Sequence, residues 1–121
     1  MTDSTPASLF QPKKPEIEFD DFAKLDLRLA TVLEVKDHPN ADKLYVLKIR
    51  VGDVEKQLCA GLRGRIPADK ILGKTIVIVH NLKPRKLRGE MSEGMLLAAS
   101  FGDGITLLTS DGSLQDGATV G

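Results

Sequence analysis

Aromatic side chains are scarce in this sequence. Among 121 residues there are four Phe, no Trp and a single Tyr, Tyr45, so that aromatic residues make up 4% of the chain. Proteins that bind single-stranded nucleic acid usually stack the bases on aromatic side chains. Their scarcity therefore disfavours single-strand binding, and any nucleic acid that binds here is expected to be folded and recognised by shape and backbone.

Cysteine and long apolar runs are also nearly absent. The one cysteine, Cys59, excludes an internal disulfide, and its apolar neighbours favour a small buried side chain over a reactive thiol. No apolar run approaches the length of a membrane span, and residues 1–15 are too polar for a signal peptide. These absences predict a cytoplasmic protein without a membrane partner.

The residues that most enzymes need are missing as well. There is no glycine-rich nucleotide loop, no Ser/His/Asp set and no Cys/His pair with an orienting group. The two histidines, His38 and His80, lie far apart without a cysteine or carboxylate cluster at metal-ligand spacing. We read each as a solvated or core histidine. The sequence predicts a non-enzymatic protein with no metal and no cofactor.

Charge is balanced overall but unevenly placed. Lys and Arg number 17, as do Asp and Glu, yet residues 36–89 hold 13 cations and 5 anions. Residues 90–121 hold five anions and no cation. Such asymmetry suggests an anionic partner for the basic part.

The highest density of positive charge is the basic run, residues 83–88, which puts four cations into six positions. Pro84 and the following Gly89 predict a loop, and the apolar runs on either side predict strands. A cationic loop between two buried strands is typical of a phosphate-binding site on a rigid scaffold. The alternative is a solvated charged surface.

The order of predicted elements indicates an all-β fold. Residues 1–15, with three prolines, predict a disordered leader or linker, and residues 16–121 form one domain. A short helix over 18–25 is expected to bury Phe19 and Phe22. The predicted strands are 27–35, 44–51, 55–60, 75–80 and 94–99, with a short helix over 67–73 and further strands at 105–109 and 118–120.

Five strands with a helix between the third and fourth match a Greek-key barrel of the oligonucleotide-binding (OB) type, here with a small C-terminal β extension. In that fold the loop between strands four and five commonly binds the ligand, and the basic run falls in it. The turn between strands one and two, residues 37–42, should lie on the same side.

Several residues are candidates for contact with an anionic ligand. Cations of the basic run would neutralise phosphates, giving affinity and register without base specificity. Asn40 could read a base edge or cap a turn, and Lys43 could reach a phosphate. Ser92 could bond phosphate or ribose, and Met95 could pack on a sugar or base or belong to the core. Arg63 and Arg65 either add to the basic surface or belong to a solvated turn.

Four blocks in a fixed order carry a resemblance to a known family. They are residues 21–28 (DFAKLDLR), 38–45 (HPNADKLY), 81–89 (NLKPRKLRG) and 92–99 (SEGMLLAA). Over residues 17–120 the chain resembles the tRNA-binding domain found at the C-terminus of bacterial methionyl-tRNA synthetases, in stand-alone tRNA-binding proteins and in endothelial monocyte-activating polypeptide.

The resemblance implies an OB barrel that binds tRNA with little sequence preference and carries it for a synthetase. It also implies a homodimer formed partly through the region after the barrel. The contacts it implies are Asn40, Lys43, Asn81, Lys83, Arg85, Lys86, Arg88, Ser92 and Met95. Two departures from the family pattern are Ala30, in place of a glycine, and a short segment 61–72. The alternative function is that of a protein-interaction module related to the export chaperone of the same fold.

Overall fold

A computed structural model describes residues 6–121 of the chain. Residues 1–5 of the predicted leader lie outside the described part. Residues 6–15 include one turn of 3₁₀ helix, Ala7–Leu9, and are exposed. The ring of Phe10 lies edge-on to that of Phe101, with centroids 5.0 Å apart. This part of the predicted leader therefore contacts the domain.

The domain is built mostly from antiparallel strands. One short helix, α1 (Phe19–Ala23), precedes them, and a 3₁₀ helix (Ala68–Lys70) lies between the third and fourth strands. The strands are β1 (Leu27–Asp37), β2 (Tyr45–Val51), β3 (Val54–Ala60), β4 (Thr75–Val79), β5 (Arg85–Leu87), β6 (Glu90–Ser92), β7 (Met95–Leu96), β8 (Ala98–Phe101), β9 (Gly104–Leu107) and β10 (Thr119–Val120).

The main sheet has the order β3-β2-β1-β4-β7, with β10 paired to β1. Its two ends approach each other, since the backbone N–H of Glu93 donates to the carbonyl of Gln57 on β3 at 2.8 Å. Strand order and curvature confirm the predicted OB type of fold. The Greek-key closure of a full barrel stays a prediction.

The core lies inside the curled sheet, where alternate residues of each strand meet. Its largest fully buried side chains are Leu47, Ile49, Leu58, Ile71, Ile76, Ile78 and Val32. In β2 the burial alternates strictly, as expected for a strand with one face on the core. The sequence alternation therefore predicts this strand well.

The sequence of strand β1 predicts an uninterrupted alternation that places Leu29 and Val35 on one face, and the structure departs from it. Ala30 and Val32 belong to the core, and then the register with β2 shifts between Val32 and Glu34. After this β-bulge Val35 packs against the same core as Ala30. A bulge inserts one residue and changes the face on which the following side chains lie, so the prediction that Val35 shares a face with Leu29 was wrong.

Two further predictions need correction. Phe19 and Phe22 of α1 are exposed and lie beside each other, with ring centroids 6.3 Å apart, instead of packing on the core. The predicted fifth strand is interrupted at Leu97, whose N–H donates to the carbonyl of Val77. Beyond it β8 leaves the main sheet and pairs with β9 in a separate two-stranded sheet. The exposure of Phe19 and Phe22 follows from the length of α1, since a helix of five residues is too short to bury a stable apolar face.

Candidate nucleic-acid interface

The basic run forms a β-hairpin. Strands β5 and β6 pair through Lys86 opposite Met91 and Leu87 opposite Glu90. Arg88 and Gly89 are the two turn residues, with φ angles of 50° and 95°. Positive φ at both positions is the mark of a type I′ turn, whose twist matches that of the flanking strands. The predicted loop is therefore wrong in form. We call residues 85–92 the basic hairpin.

The cations of this region face solvent. Lys83, Arg85, Lys86 and Arg88 are all exposed. Among residues 6–121 no ion pair engages any of the four. The positive charge is therefore available to an anion from outside, and no internal partner has to be displaced before it binds.

The tip of the basic hairpin is held by a buried histidine. His38 is 2% exposed, and its Nε2 donates to the carbonyl of Leu87 at 2.8 Å. Its Nδ1 accepts a hydrogen bond from the backbone N–H of Asn40 at 2.9 Å, so the ring proton lies on Nε2. His38 is a core histidine, one of the two predicted alternatives. Its anchoring role was missed, because the Leu87 carbonyl that it holds lies 49 residues later in the sequence.

The base of the hairpin is held to strand β3. The N–H of Cys59 donates to the Ser92 hydroxyl oxygen at 3.1 Å, and that hydroxyl donates to the carbonyl of Gly94 at 3.1 Å. Gln57 Nε2 donates to the carbonyl of Met91 at 3.0 Å, and Gln57 N–H to Glu93 Oε1 at 3.1 Å. The hairpin is thus anchored at both ends, which fixes the backbone positions from which its cations project.

Ser92 offers little surface to a ligand. It is 5% exposed, and both functions of its hydroxyl are used inside the protein. The structure gives it the role of a connector between β3 and the hairpin. The sequence could not show this, because the partner N–H belongs to a residue 33 positions earlier.

Asn81 is also engaged within the protein. Its Oδ1 accepts from the N–H of Asp26 at 2.9 Å, and its Nδ2 donates to the carbonyl of Lys24 at 2.8 Å. Both halves of the amide therefore anchor the chain that leads from α1 into β1. The structure supports an anchoring role for Asn81 and gives no support to the predicted ligand contact.

The turn between β1 and β2 (residues 38–44, the β1–β2 turn) lies against the hairpin tip, as predicted. Asn40 Nδ2 donates to the carbonyl of Arg88 at 3.3 Å. Asn40 and Lys43 are exposed and line, together with Arg88, a depression of about 460 Å³. Two candidate contacts of this turn are therefore brought to the tip of the basic hairpin.

Arg63 holds the β1–β2 turn from its other side. Its Nη1 donates to the carbonyls of His38 and Ala41, both at 3.3 Å, and its Nη2 forms an ion pair with Asp37 at 3.3 Å. Arg63 thus fixes the turn. Arg65 is exposed, and its side chain makes no hydrogen bond or ion pair within the described part of the chain.

Met95 is 46% exposed, so the reading as a core residue is wrong and a ligand contact stays a prediction. It lies on β7 opposite Val79 of β4, and Met91 of the hairpin is exposed to a similar degree. Flexible thioethers beside a cationic surface can pack on a sugar or a base. They add apolar area to an otherwise polar site.

The Cys59 thiol and the His80 imidazole show no sign of catalytic activation. Burial raises the pKa of the Cys59 thiol, and the nearby Glu90 carboxylate raises it further, which disfavours a nucleophilic thiolate. Burial and the charge of Lys56 lower the pKa of His80, whose Nδ1 lies 3.2 Å from Lys56 Nζ. Within residues 6–121, His, Cys, Asp and Glu form no cluster of three or more that could hold a metal ion.

Residues 6–121 contain no helix with the length and apolar character needed to cross a membrane.

Comparison with known proteins identifies the family. A family model described as "Putative tRNA binding domain" matches residues 27–119, from the start of β1 into β10. The chain belongs to this family of tRNA-binding domains. The match spans the main sheet, the basic hairpin and the C-terminal extension, so the surface described above lies wholly within it.

The curated relatives are methionine–tRNA ligases. The chain is 51% identical over 108 residues to the enzyme of Pyrococcus abyssi, which covers 89% of this chain and 15% of that protein. It is 49% identical over 104 residues to that of Thermotoga maritima, covering 86% of this chain and 16% of that protein. The chain thus spans about a sixth of the ligases it matches, and the matched family is a binding domain without a catalytic part.

Solved structures share the fold. A protein described as MetRS-related, from Pyrococcus horikoshii, superposes with a TM-score of 0.83 at 30% identity, covering 88% of this chain and 99% of that one. The CsaA chaperone protein of Picrophilus torridus gives a TM-score of 0.81 at 35% identity, covering 88% of this chain and all of that one. The fold therefore occurs both in a protein described as MetRS-related and in one described as a chaperone.

Proposed function

We propose that this tRNA-binding domain binds folded tRNA largely without regard to sequence and holds it for an aminoacyl-tRNA synthetase, methionyl-tRNA synthetase being the favoured partner. One observation carries the proposal: four exposed cations without an ion-pair partner in residues 6–121 lie on or beside a hairpin that is anchored at both ends. The relatives support the choice of synthetase, since they are methionine–tRNA ligases.

The anchoring matters for recognition by shape. A hairpin fixed by His38 at its tip and by Ser92 at its base holds the backbone positions of its cations in one arrangement, so little backbone order has to be created on binding. Phosphate contacts give affinity and register but little base specificity. Cations that project from fixed backbone positions therefore favour one RNA backbone geometry, that of a folded RNA, whatever its base sequence.

The experiment is a titration of tRNA at several salt concentrations. With three or four phosphates contacted, the logarithm of the association constant should fall with the logarithm of salt at a slope of about −2 to −4. Replacing Lys83, Arg85 and Lys86 with Ala should weaken binding and flatten the slope. An unchanged affinity and slope in this variant would refute the proposed surface.

A matched control uses three exposed cations away from the hairpin: Lys14, Lys70 and Lys74. Lys70 and Lys74 precede β4, whereas the hairpin follows it, so they lie toward the opposite end of that strand. Replacing the three with Ala removes the same net charge. The control variant should keep most of the affinity, which separates a specific surface from the effect of overall charge.

The likeness to the CsaA chaperone motivates one alternative, a protein-interaction module. An unfolded peptide titrated beside tRNA distinguishes the two functions. Preferential binding of peptide, with a weak dependence on salt, would favour the alternative over the tRNA carrier.

We also propose that the domain forms a homodimer in the cytoplasm. The region after the main sheet exposes apolar side chains that include Phe101, Leu108 and Leu114, and Phe10 of the N-terminal segment lies beside Phe101. A contiguous exposed apolar patch on a protein surface is commonly an interface. Sedimentation equilibrium of the chain and of a Phe101→Ser variant tests this, with a monomeric wild-type chain as the contradicting result.

A further inference from the structure

We propose that the RNA-binding surface extends past the hairpin tip, over the β1–β2 turn and into the loop of residues 61–66, where Arg65 is a further phosphate-binding residue. This inference rests on the proposed function. It adds a second stretch of surface that would follow the sugar-phosphate backbone of the same RNA.

Two neighbouring depressions form this path. The first, of about 460 Å³, is lined by Asn40, Lys43 and Arg88 among others. The second, of about 540 Å³, is lined by Lys43 and by residues of the 61–66 loop. Because Lys43 and Asp42 line both, the depressions adjoin, and an extended chain can pass from one to the other without leaving the surface.

Hydrogen bonds join the three segments that form the path. Asn40 donates to the carbonyl of Arg88, which links the turn to the hairpin tip. The N–H of Arg63 donates to the carbonyl of Lys43 at 3.3 Å, which links the loop to the turn. The guanidinium of Arg63 also holds the turn through two carbonyls. The path therefore has a fixed shape.

The charge along the path favours an anion. Arg88, Lys43 and Arg65 are exposed and make no ion pair within the described residues. Arg63 is paired with Asp37 and is a positioning residue. Among residues 6–121, Asp42 is the only carboxylate that lines either depression. Three available cations against one anion leave a net positive path.

Glycines keep the far end of the path open. A Cβ built at Gly61 or Gly64 would have no heavy atom within 4 Å, so the space over both residues is open. Gly64 also has a φ of 82°, a conformation that a side chain would strain. An RNA backbone can approach the protein backbone closely where no side chain lies in the way, with Arg65 directly beside it.

The test compares Arg65→Ala with wild type in the same salt series of tRNA titrations. Loss of one phosphate contact should weaken binding about three- to tenfold and reduce the steepness of the salt slope by about 0.7–0.9. Arg65→Lys, which keeps a point charge at the same place, should restore most of the slope. Lys70→Ala is the single-residue control and should leave both quantities unchanged.

The outcomes separate this inference from the proposed function. If wild type binds tRNA with the expected salt slope and the hairpin variant loses it, while Arg65→Ala behaves as wild type, the extended path is refuted and the function stands. If wild type shows no salt-dependent tRNA binding, both are refuted. Because the Arg65 side chain is exposed and makes no hydrogen bond or ion pair within residues 6–121, its replacement should leave the urea midpoint unchanged.

Discussion

Arg88 combines a conformational penalty with an expected role in binding, and the variant Arg88→Asn separates the two. It is the one non-glycine residue of the described chain with a positive φ, at 50°. An L-residue with a Cβ in this left-handed region is less stable by about 1 kcal/mol than in its preferred conformations. Asparagine tolerates the region, and Asn-Gly is the pair that type I′ turns favour most.

The substitution should stabilise the fold. The Arg88 side chain makes no hydrogen bond or ion pair within residues 6–121, so little is lost, and the contact from Asn40 reaches only the backbone carbonyl. We expect a gain of about 0.5–1 kcal/mol in the free energy of unfolding. The hairpin is bonded to the main sheet at both ends and should unfold with it. For a domain of this size the melting temperature should rise by about 2–5 °C.

Binding should change in the opposite direction. Arg88→Asn removes one available cation at the point where the hairpin meets the β1–β2 turn, so tRNA affinity should fall and the salt slope should become less steep by about 0.7–0.9. Thermal melts or urea titrations measure the first effect, and titrations of tRNA at several salt concentrations measure the second. A variant that is both more stable and weaker in binding is the expected result.

The matched control is Lys86→Asn. Lys86 carries the same charge but lies within β5, where its backbone is extended and asparagine is disfavoured. This control should lose affinity without gaining stability. The reasoning is refuted if Arg88→Asn lowers the unfolding free energy, or if it leaves both tRNA affinity and the salt slope as in wild type.

Three further predictions concern residues that stabilise the fold, the first of which also holds the site. His38→Ala should lower the free energy of unfolding by about 2–4 kcal/mol, because it leaves the Leu87 carbonyl without its donor. In urea titrations His38→Gln should lose less of this free energy. A loss below about 0.5 kcal/mol for His38→Ala would contradict the anchoring role. Burial alone would raise the pKa of Asp116, but hydrogen bonds and the charge of Arg50 hold that pKa below its ordinary value. The contribution of the Asp116 carboxylate to the free energy of unfolding is therefore present above the unfolded pKa of about 4 and is lost as the pH falls through the folded pKa. The difference in melting temperature between wild type and Asp116→Asn should therefore be smaller at pH 3 than at pH 7, and an equal difference at both pH values would count against this. Gly117→Ala should destabilise by about 2 kcal/mol or more in urea titrations, since its φ is 93° and a Cβ would lie 2.9 Å from the Cα of Gly52; a neutral result would contradict the close approach.

The strands of the main sheet could be predicted because their burial follows the sequence pattern. Leu47, Ile49 and Val51 alternate with Val46, Lys48 and Arg50 along β2, and burial repeats that alternation. The bulge in β1 could not be predicted, because every residue from Leu29 to Leu33 is apolar or Thr and either face could point inward. Register there depends on the neighbouring strand and not on local sequence.

The basic hairpin was missed because it has no apolar alternation to reveal it. Arg85 and Lys86 are exposed on strands that pack little, and the one local signal was Gly89 in a two-residue turn between Leu87 and Glu90. The anchoring roles of Ser92 and Asn81 were missed for a different reason. Ser92 bonds Cys59, 33 residues away, and Asn81 bonds Asp26, 55 residues away. No local spacing in the sequence indicates contacts between residues so far apart.

The scarcity of aromatic side chains and the anchoring of the hairpin lead to the same conclusion by separate routes. A single strand adapts its backbone to the protein, and its binding is stabilised mainly by stacking, for which this chain has few aromatic side chains. A folded RNA brings a backbone of fixed shape, which is best met by charges whose positions are also fixed. In this domain the hydrogen bonds of His38, Asn40 and Ser92 fix the backbone of the hairpin, and its cations attract the phosphates of the RNA. These anchoring residues should therefore affect tRNA affinity through the geometry of the hairpin, whereas the exposed cations should affect it through the salt slope.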